Sequence, residues 1–341
     1  MLTVKSAKRR RWWAPPPDDI SRSLAFGGMP ASLAGFIRRV SLWSQLWICA
    51  LAVAVFVLNT VPLELQRRIL NATVYGGDIK LLFGLALAYL GVVLAEGLVK
   101  LLMNVYRGWT GEKAARALRL ATSALVSSLP PQQSGAQGVG VALILAEPDP
   151  IGEFVAIAVS ELVLDAGILL SVFAYMFYLQ PWLALVTLAI FSPQLVFVPL
   201  MQRAINRRIE ARILVLRQAG AGALRSRESE VQEALRQELR FAEIFELNLG
   251  IFKLRYSMKF LMNLTQNLGK AVVLAVGGWH VITGDTQVGT VIAFVSGLHN
   301  VEDPWRDLVD WYQRMMMTRA RYEVFATAMR RFAAGENPAV T

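Results

Sequence analysis

Six stretches of the chain are apolar enough to cross a lipid bilayer, at roughly 42–62, 79–98, 159–179, 182–201, 269–282 with its flanks, and 288–301. A helix needs about 20 predominantly apolar residues to span a hydrocarbon core about 30 Å thick. Polar residues interrupt the edges of the last two stretches, and the first four are cleaner. The connections are very unequal. Only Gln180-Pro181 separates the third stretch from the fourth, and Gly284-Asp285-Thr286-Gln287 the fifth from the sixth, with no Lys or Arg in either turn. The linkers between the second and third and between the fourth and fifth each run to about sixty residues, rich in helix formers and in basic residues. In the second linker, Glu228-Ser229-Glu230-Val231-Gln232-Glu233-Ala234-Leu235-Arg236-Gln237-Glu238-Leu239 has helical spacing throughout. The economical reading is that spans two to five continue past the membrane as long helices. Paired prolines stop a helix, so Leu129-Pro130-Pro131-Gln132-Gln133-Ser134-Gly135 reads as the reversal between two such extensions. Ahead of the first span, residues 32–40 mix apolar residues with Arg38 and Arg39, which suits an amphipathic helix lying on the inner membrane surface.

Composition supports the pattern. The 341 residues are 55% hydrophobic, with a mean hydropathy of +0.44, outside the soluble range. The net charge of +10 would suit a nucleic-acid binder, but its placement decides otherwise. Eight of the 35 basic residues precede Leu42, twelve lie within 203–259 and six within 306–331, which are the segments the spans leave on one side. Lys and Arg accumulate in cytoplasmic segments of membrane proteins. Both termini and both long linkers are therefore expected in the cytoplasm of a multi-pass protein of the plasma (inner) membrane, with the short turns outside and no nucleic-acid partner. Cys49 is the single cysteine and there are two histidines, so no disulfide or cysteine metal site is expected. The first thirty residues have no signal-peptide pattern. The expected organisation is a basic, disordered N-terminus over 1–31, a membrane domain over 32–329 and a short tail over 330–341.

Ionisable groups within spans usually face a bundle interior or a wet cavity. Glu96 and Lys100 stand four apart and read as a self-neutralised pair. Glu161 and Asp165 share the same spacing with like charge, so they require water, a cation or a basic partner. His299, Glu302 and Asp303 lie on one face of the sixth span just before Pro304, a position suited to a transport pathway; the plain alternative pairs Glu302 with Arg306. Trp43, Trp47, Trp182 and Trp279 sit where interfacial anchors are expected. Met315-Met316-Met317 reads as a soft packing surface.

The segment Gly277-Gly278-Trp279-His280-Val281-Ile282-Thr283-Gly284-Asp285-Thr286-Gln287-Val288-Gly289-Thr290-Val291-Ile292-Ala293-Phe294-Val295 closely resembles the hairpin between the last two membrane helices of type I ABC exporters. Pro62-Leu63-Glu64-Leu65-Gln66-Arg67-Arg68-Ile69 adds weaker support. The resemblance spans about 32–329 and implies an all-α membrane fold of six transmembrane helices with long cytoplasmic extensions. It further implies a homo- or heterodimer in lipid with an unknown cargo, a cavity lined by the sixth helix, and short cytoplasmic reversals that dock an ATPase. By position those reversals hold Gln132 and Gln133, and Ser229, Glu230 and Glu233. The candidate cavity residues are His299, Glu302, Asp303, Glu161 and Asp165. The chain carries no Gly-x-x-x-x-Gly-Lys-[Ser/Thr] phosphate loop, and only 46 residues follow Val295, so no ATPase activity or cofactor of its own is expected. ATP and Mg would belong to a separate subunit. Gly135-x-x-Gly138-x-Gly140 lacks the preceding strand of a dinucleotide loop. Two other functions stay open: a proton-coupled transporter of the same shape, using Glu161 or Asp165, and a degenerate membrane scaffold or regulator.

Overall fold

A computed structural model describes residues 19–128, 147–224 and 230–334 of the chain. Among these there are nine helices and no strand: α1 (Asp19–Phe26), α2 (Leu33–Val74), α3 (Ile79–Ser127), α4 (Pro148–Ile157), α5 (Ser160–Leu179), α6 (Pro181–Phe191), α7 (Gln194–Leu224), α8 (Glu230–Ile282) and α9 (Val288–Ala333). At 1.5 Å per residue the 49 residues of α3 span about 73 Å and the 53 of α8 about 80 Å. Either length is more than twice a hydrocarbon core of about 30 Å, so much of each helix lies beyond the lipid.

Four segments are long and apolar enough to cross a membrane: Leu33–Val74, Ile79–Ser127, Pro148–Leu179 and Pro181–Leu216. They contain the first four expected spans. The last two fall within α8 and α9, neither of which has an apolar window of that strength among the described residues. Lys270 and His280 in α8, and His299, Glu302, Asp303 and Pro304 in α9, dilute the apolar runs there.

The chain forms two compact units, 1–172 with 299–341, and 173–298. In the first, α3 packs on α1, α2 and α4. Its packing face reads Thr110, Gly111, Ala114, Ala115, Leu118, Ala121, Thr122 and Leu125, all buried, at helical spacing. Small residues let helix backbones approach closely. The crossing of α3 and α4 is centred on two glycines: a Cβ on Gly152 would lie 2.6 Å from the Gly111 carbonyl oxygen, and one on Gly111 would lie 2.9 Å from that of Gly152. Phe36, Tyr322 and Phe325 are fully buried in the same core, with the Phe36 and Tyr322 rings 5.4 Å apart.

The amphipathic entry helix is present as the first turns of α2. Ser32 caps it by accepting from the Gly35 N–H at 3.2 Å. Ser41 then departs from helical geometry (φ −136°, ψ 15°), so residues 33–40 are kinked away from the membrane-crossing part. Disorder was expected throughout 1–31, but residues 19–31 are structured. Leu24, Ala25 and Met29 bury against the core, Arg39 donates to the Gly28 carbonyl at 3.2 Å and to the Ser23 hydroxyl at 2.5 Å, and Tyr322 donates to the Pro30 carbonyl at 2.9 Å. Burial of a few apolar side chains orders residues 19–31, while the basic run and Pro15 to Pro17 lie outside the described residues.

In the second unit α7 packs along α8, with Arg212 donating to Asn248 at 3.1 Å. The turn after α8 explains its Thr-Gly-Asp composition. Gly284 has φ +83°, a region only glycine enters without strain. The Asp285 and Thr286 N–H groups donate to the His280 carbonyl at 2.9 and 3.2 Å, and Asp285 accepts from the Thr283 hydroxyl at 2.8 Å. The Thr283 hydroxyl, and next the His280 ring 3.3 Å away, hold the Asp285 carboxyl below its ordinary pKa.

Gly152→Ala is expected to lower stability by about 1–3 kcal/mol, because its new methyl meets backbone that cannot rotate aside. Thermal unfolding of purified protein in detergent checks this, with Gly108→Ala, where a Cβ meets nothing within 4 Å, as the neutral control.

Candidate functional site

The two like-charged carboxylates of the third span find the basic partners that their spacing demands. Glu161 opens α5 and accepts from Arg314 of α9 at 3.1 Å. Arg107 of α3 donates to the hydroxyl of Ser160, fully buried at the start of α5, at 2.9 Å. Asp165, one turn further along α5, is 4% exposed. It lies within electrostatic reach of Arg107 and Arg314, and also of Glu161 and Asp307. The cluster therefore joins α3, α5 and α9 and holds three carboxylates against two guanidiniums.

Its hydrogen bonding is incomplete. Among the described residues, Asp165 Oδ2, Glu161 Oε2 and Arg107 Nη2 are buried without a partner. Such groups are costly in a low-dielectric interior and are commonly found where water, an ion or a substrate enters. With one carboxylate in excess, this site suits cations and hydrogen-bond donors and disfavours anions. Trp311, between Asp307 and Arg314 on α9, donates to the Ala158 carbonyl at 3.0 Å, which fixes the register of α9 against the α4–α5 junction.

His299, Glu302 and Asp303 are placed differently. The His299 ring is 3.6 Å from Glu302, and Arg306 contacts Asp303 at 2.5 Å. These groups are thus served along their own helix, while His299 and Asp303 keep side chains 74% and 73% exposed. Asp303 interacts with Asp307, which in turn reaches Asp165, so a run of acidic groups leads along α9 to the buried cluster. Glu96 and Lys100 do form the expected pair, at 2.6 Å, with Asn59 of α2 as a third member at 3.2 Å from Glu96.

Of the docking candidates, Gln132, Gln133 and Ser229 lie outside the described residues. Glu230 and Glu233 are in the first turn of α8, so the described part of that reversal is already helix. Arg107, Ser160, Asp307 and Arg314 were not anticipated individually. The only signal was the demand for a base that Glu161 and Asp165 created together; Arg107 lies 53 residues before Ser160, and Arg314 lies 153 residues after Glu161.

Removing one partner of a buried ionic group typically costs about 3–5 kcal/mol, because the other charge is left uncompensated. Arg107→Met is accordingly expected to lower the unfolding temperature strongly. Asp165→Asn, which removes the excess carboxylate, should be neutral or stabilising. Thermal unfolding of both variants in detergent checks the ordering, and equal destabilisation would contradict the charge count.

The family of the ABC transporter transmembrane region matches residues 45–213. The match includes the membrane part of α2, all of α3 to α6, and Arg107, Ser160, Glu161 and Asp165; the α8–α9 hairpin and the His299 group lie beyond it. No curated protein matches the chain. The four apolar segments and the helices that outrun the bilayer agree with that match: residues 45–213 are similar to the transmembrane region of ABC transporters, within a chain that has the features of a multi-pass membrane protein.

Proposed function

We propose that the chain is the membrane subunit of an exporter, pairing with an identical or related subunit and driven by an ATPase on a separate chain. The observation that carries this reading is the match over 45–213 together with helices that project far past the lipid in paired fashion. In this reading six helices cross the membrane, α8 and α9 supplying the last two despite their polar interruptions. Polar residues in a membrane helix are tolerated where they face protein or water, and His299, Glu302 and Asp303 then line the cargo pathway. The projecting pairs α3 with α4 and α7 with α8 act as rigid levers. The ATPase pushes at their reversals, around 129–137 and 229–235, and the levers carry that motion to the pathway. Residues 32–329 make up most of the transport domain, to which residues 19–31 and the end of α9 add core side chains such as Leu24 and Phe332, and both ends of the chain are cytoplasmic.

The buried carboxylates favour a second reading, proton-coupled transport without ATP. Asp165, buried with an unpartnered oxygen, is the group such a mechanism would use. The two readings separate cleanly, since ATP-driven transport needs an ATPase at the reversals and proton-driven transport collapses with the gradient. A scaffold would do neither.

Purification of the intact chain from native membranes is expected to bring down a subunit carrying a phosphate loop. The double charge reversal Glu230→Lys, Glu233→Lys should lose that subunit while the chain still inserts. Retention of full transport by this variant would exclude coupling through that segment. Topology has its own test: cysteine at Asp285 should react with an impermeant thiol reagent from outside the cell and cysteine at Ser229 should not, and the reverse pattern would exclude the proposed orientation.

A further inference from the structure

A cavity of about 690 Å³ opens beside the kinked entry helix, within the first compact unit. Three elements wall it: α2 from Leu33 to Gln45, the α4–α5 junction at Phe154, Ala158 and Val159, and the face of α9 carrying Trp311, Met315, Arg319 and Glu323 at four-residue spacing. The size falls within the range of small-ligand sites, about 300–1,000 Å³. Most of the wall is apolar, and its polar groups are few and ordered by depth.

On α2, Arg38 lies before the Ser41 kink and Leu42 and Gln45 after it, and all three line the cavity. Arg38 sits in the amphipathic segment and is exposed. Its neighbour Arg39 is engaged by Ser23 and Gly28, and Arg319 across the cavity holds Glu323 at 3.0 Å. Arg38 has no hydrogen-bond or ion-pair partner among the described residues. Gln45 lies past the Ser41 kink, one turn into the membrane-crossing part, and is 5% exposed. Its side-chain N–H donates to the Val155 carbonyl at 2.6 Å, which fixes the amide orientation and leaves the oxygen as the free group. That oxygen is buried and has no donor.

The cavity thus offers an unpaired cation at the interface, an unpaired acceptor deeper in, and an apolar wall for a single alkyl chain. We propose that it binds a monoacyl phospholipid drawn from the adjoining leaflet, with the phosphate at Arg38, the free glycerol hydroxyl donated to Gln45 Oε1, and the acyl chain against Phe154, Trp311 and Met315. A diacyl phospholipid carries an ester where this site needs a donor, and a monoacylglycerol lacks the anion that Arg38 calls for. The ligand would hold the entry helix against α4 and α9 from within the membrane plane.

Native mass spectrometry of the full chain in nonionic detergent tests this, with oleoyl lysophosphatidic acid as the probe and dioleoyl phosphatidic acid and monooleoylglycerol as comparators. One lysophosphatidic acid per chain should be retained in preference to both comparators. Arg38→Gln, at an exposed position where folding is not at stake, should weaken its retention about tenfold or more, the scale of a charge-assisted hydrogen bond, and leave monooleoylglycerol unaffected. Gln45→Met should weaken lysophosphatidic acid but not phosphatidic acid. Equal retention by wild type and Arg38→Gln would overturn the proposal, as would equal retention of the monoacyl and diacyl lipids.

Discussion

A helix inside lipid must satisfy every backbone N–H and C=O within itself, and that requirement governs the whole chain. It explains why the described residues hold only helices and turns. It also explains why the breaks in helical geometry cluster where water or protein supplies the missing partners, at the Ser41 kink, the Gln180-Pro181 turn and the Thr283-Gly284-Asp285 turn. The hydrocarbon thickness then acts as a ruler. Helices such as α3, at 49 residues, cannot be contained by it, and the excess length lies beyond the lipid.

Packing within the first unit combines an apolar core with close backbone approach and polar contacts. Phe36, Tyr322 and Phe325 fill the core, and the Gly111–Gly152 crossing brings α3 and α4 together beyond the expected spans. The Arg107–Ser160 and Arg314–Glu161 contacts then tie α3 and α9 to the start of α5. Because the ionic cluster ties α3, α5 and α9 with one carboxylate left over, it is held together and yet unsatisfied. A site of that kind responds to a proton, a cation or a shift of α9, which makes it a natural place for the transport cycle to act.

Much of this was legible in the sequence, for reasons that differ by residue. The first four spans and the entry helix are local hydropathy patterns, so they were readable directly. The Gly284-Asp285 turn was readable because positive φ and a capping carboxylate demand those residue types. Glu161 and Asp165 announced that a base was needed, but not which one, since Arg107 and Arg314 reach them only through tertiary packing. The contact of Arg306 with Asp303, three residues earlier on the same helix, was not singled out, since only the four-residue spacing to Glu302 was weighed. Order in residues 19–31 was hidden because its cause is distant: Leu24 and Ala25 bury against α3 and α9 residues far along the chain. The fifth and sixth expected spans are the weakest part of the hydropathy signal, and α8 and α9 carry no apolar window as strong as those of the first four.

The central claim is that ATP binding on a partner subunit moves the α9 pathway between the two sides of the membrane, and His299, exposed and on that pathway, reports it directly. In a Cys49→Ser background a cysteine at His299 would be the only thiol of the chain. Its reaction with impermeant thiol reagents can be measured from each side of sealed vesicles carrying the native complex. Reactivity from the cytoplasmic side without nucleotide, lost when ATP is trapped and replaced by reactivity from the outer side, is the predicted result. Reactivity that does not change with ATP would contradict the account.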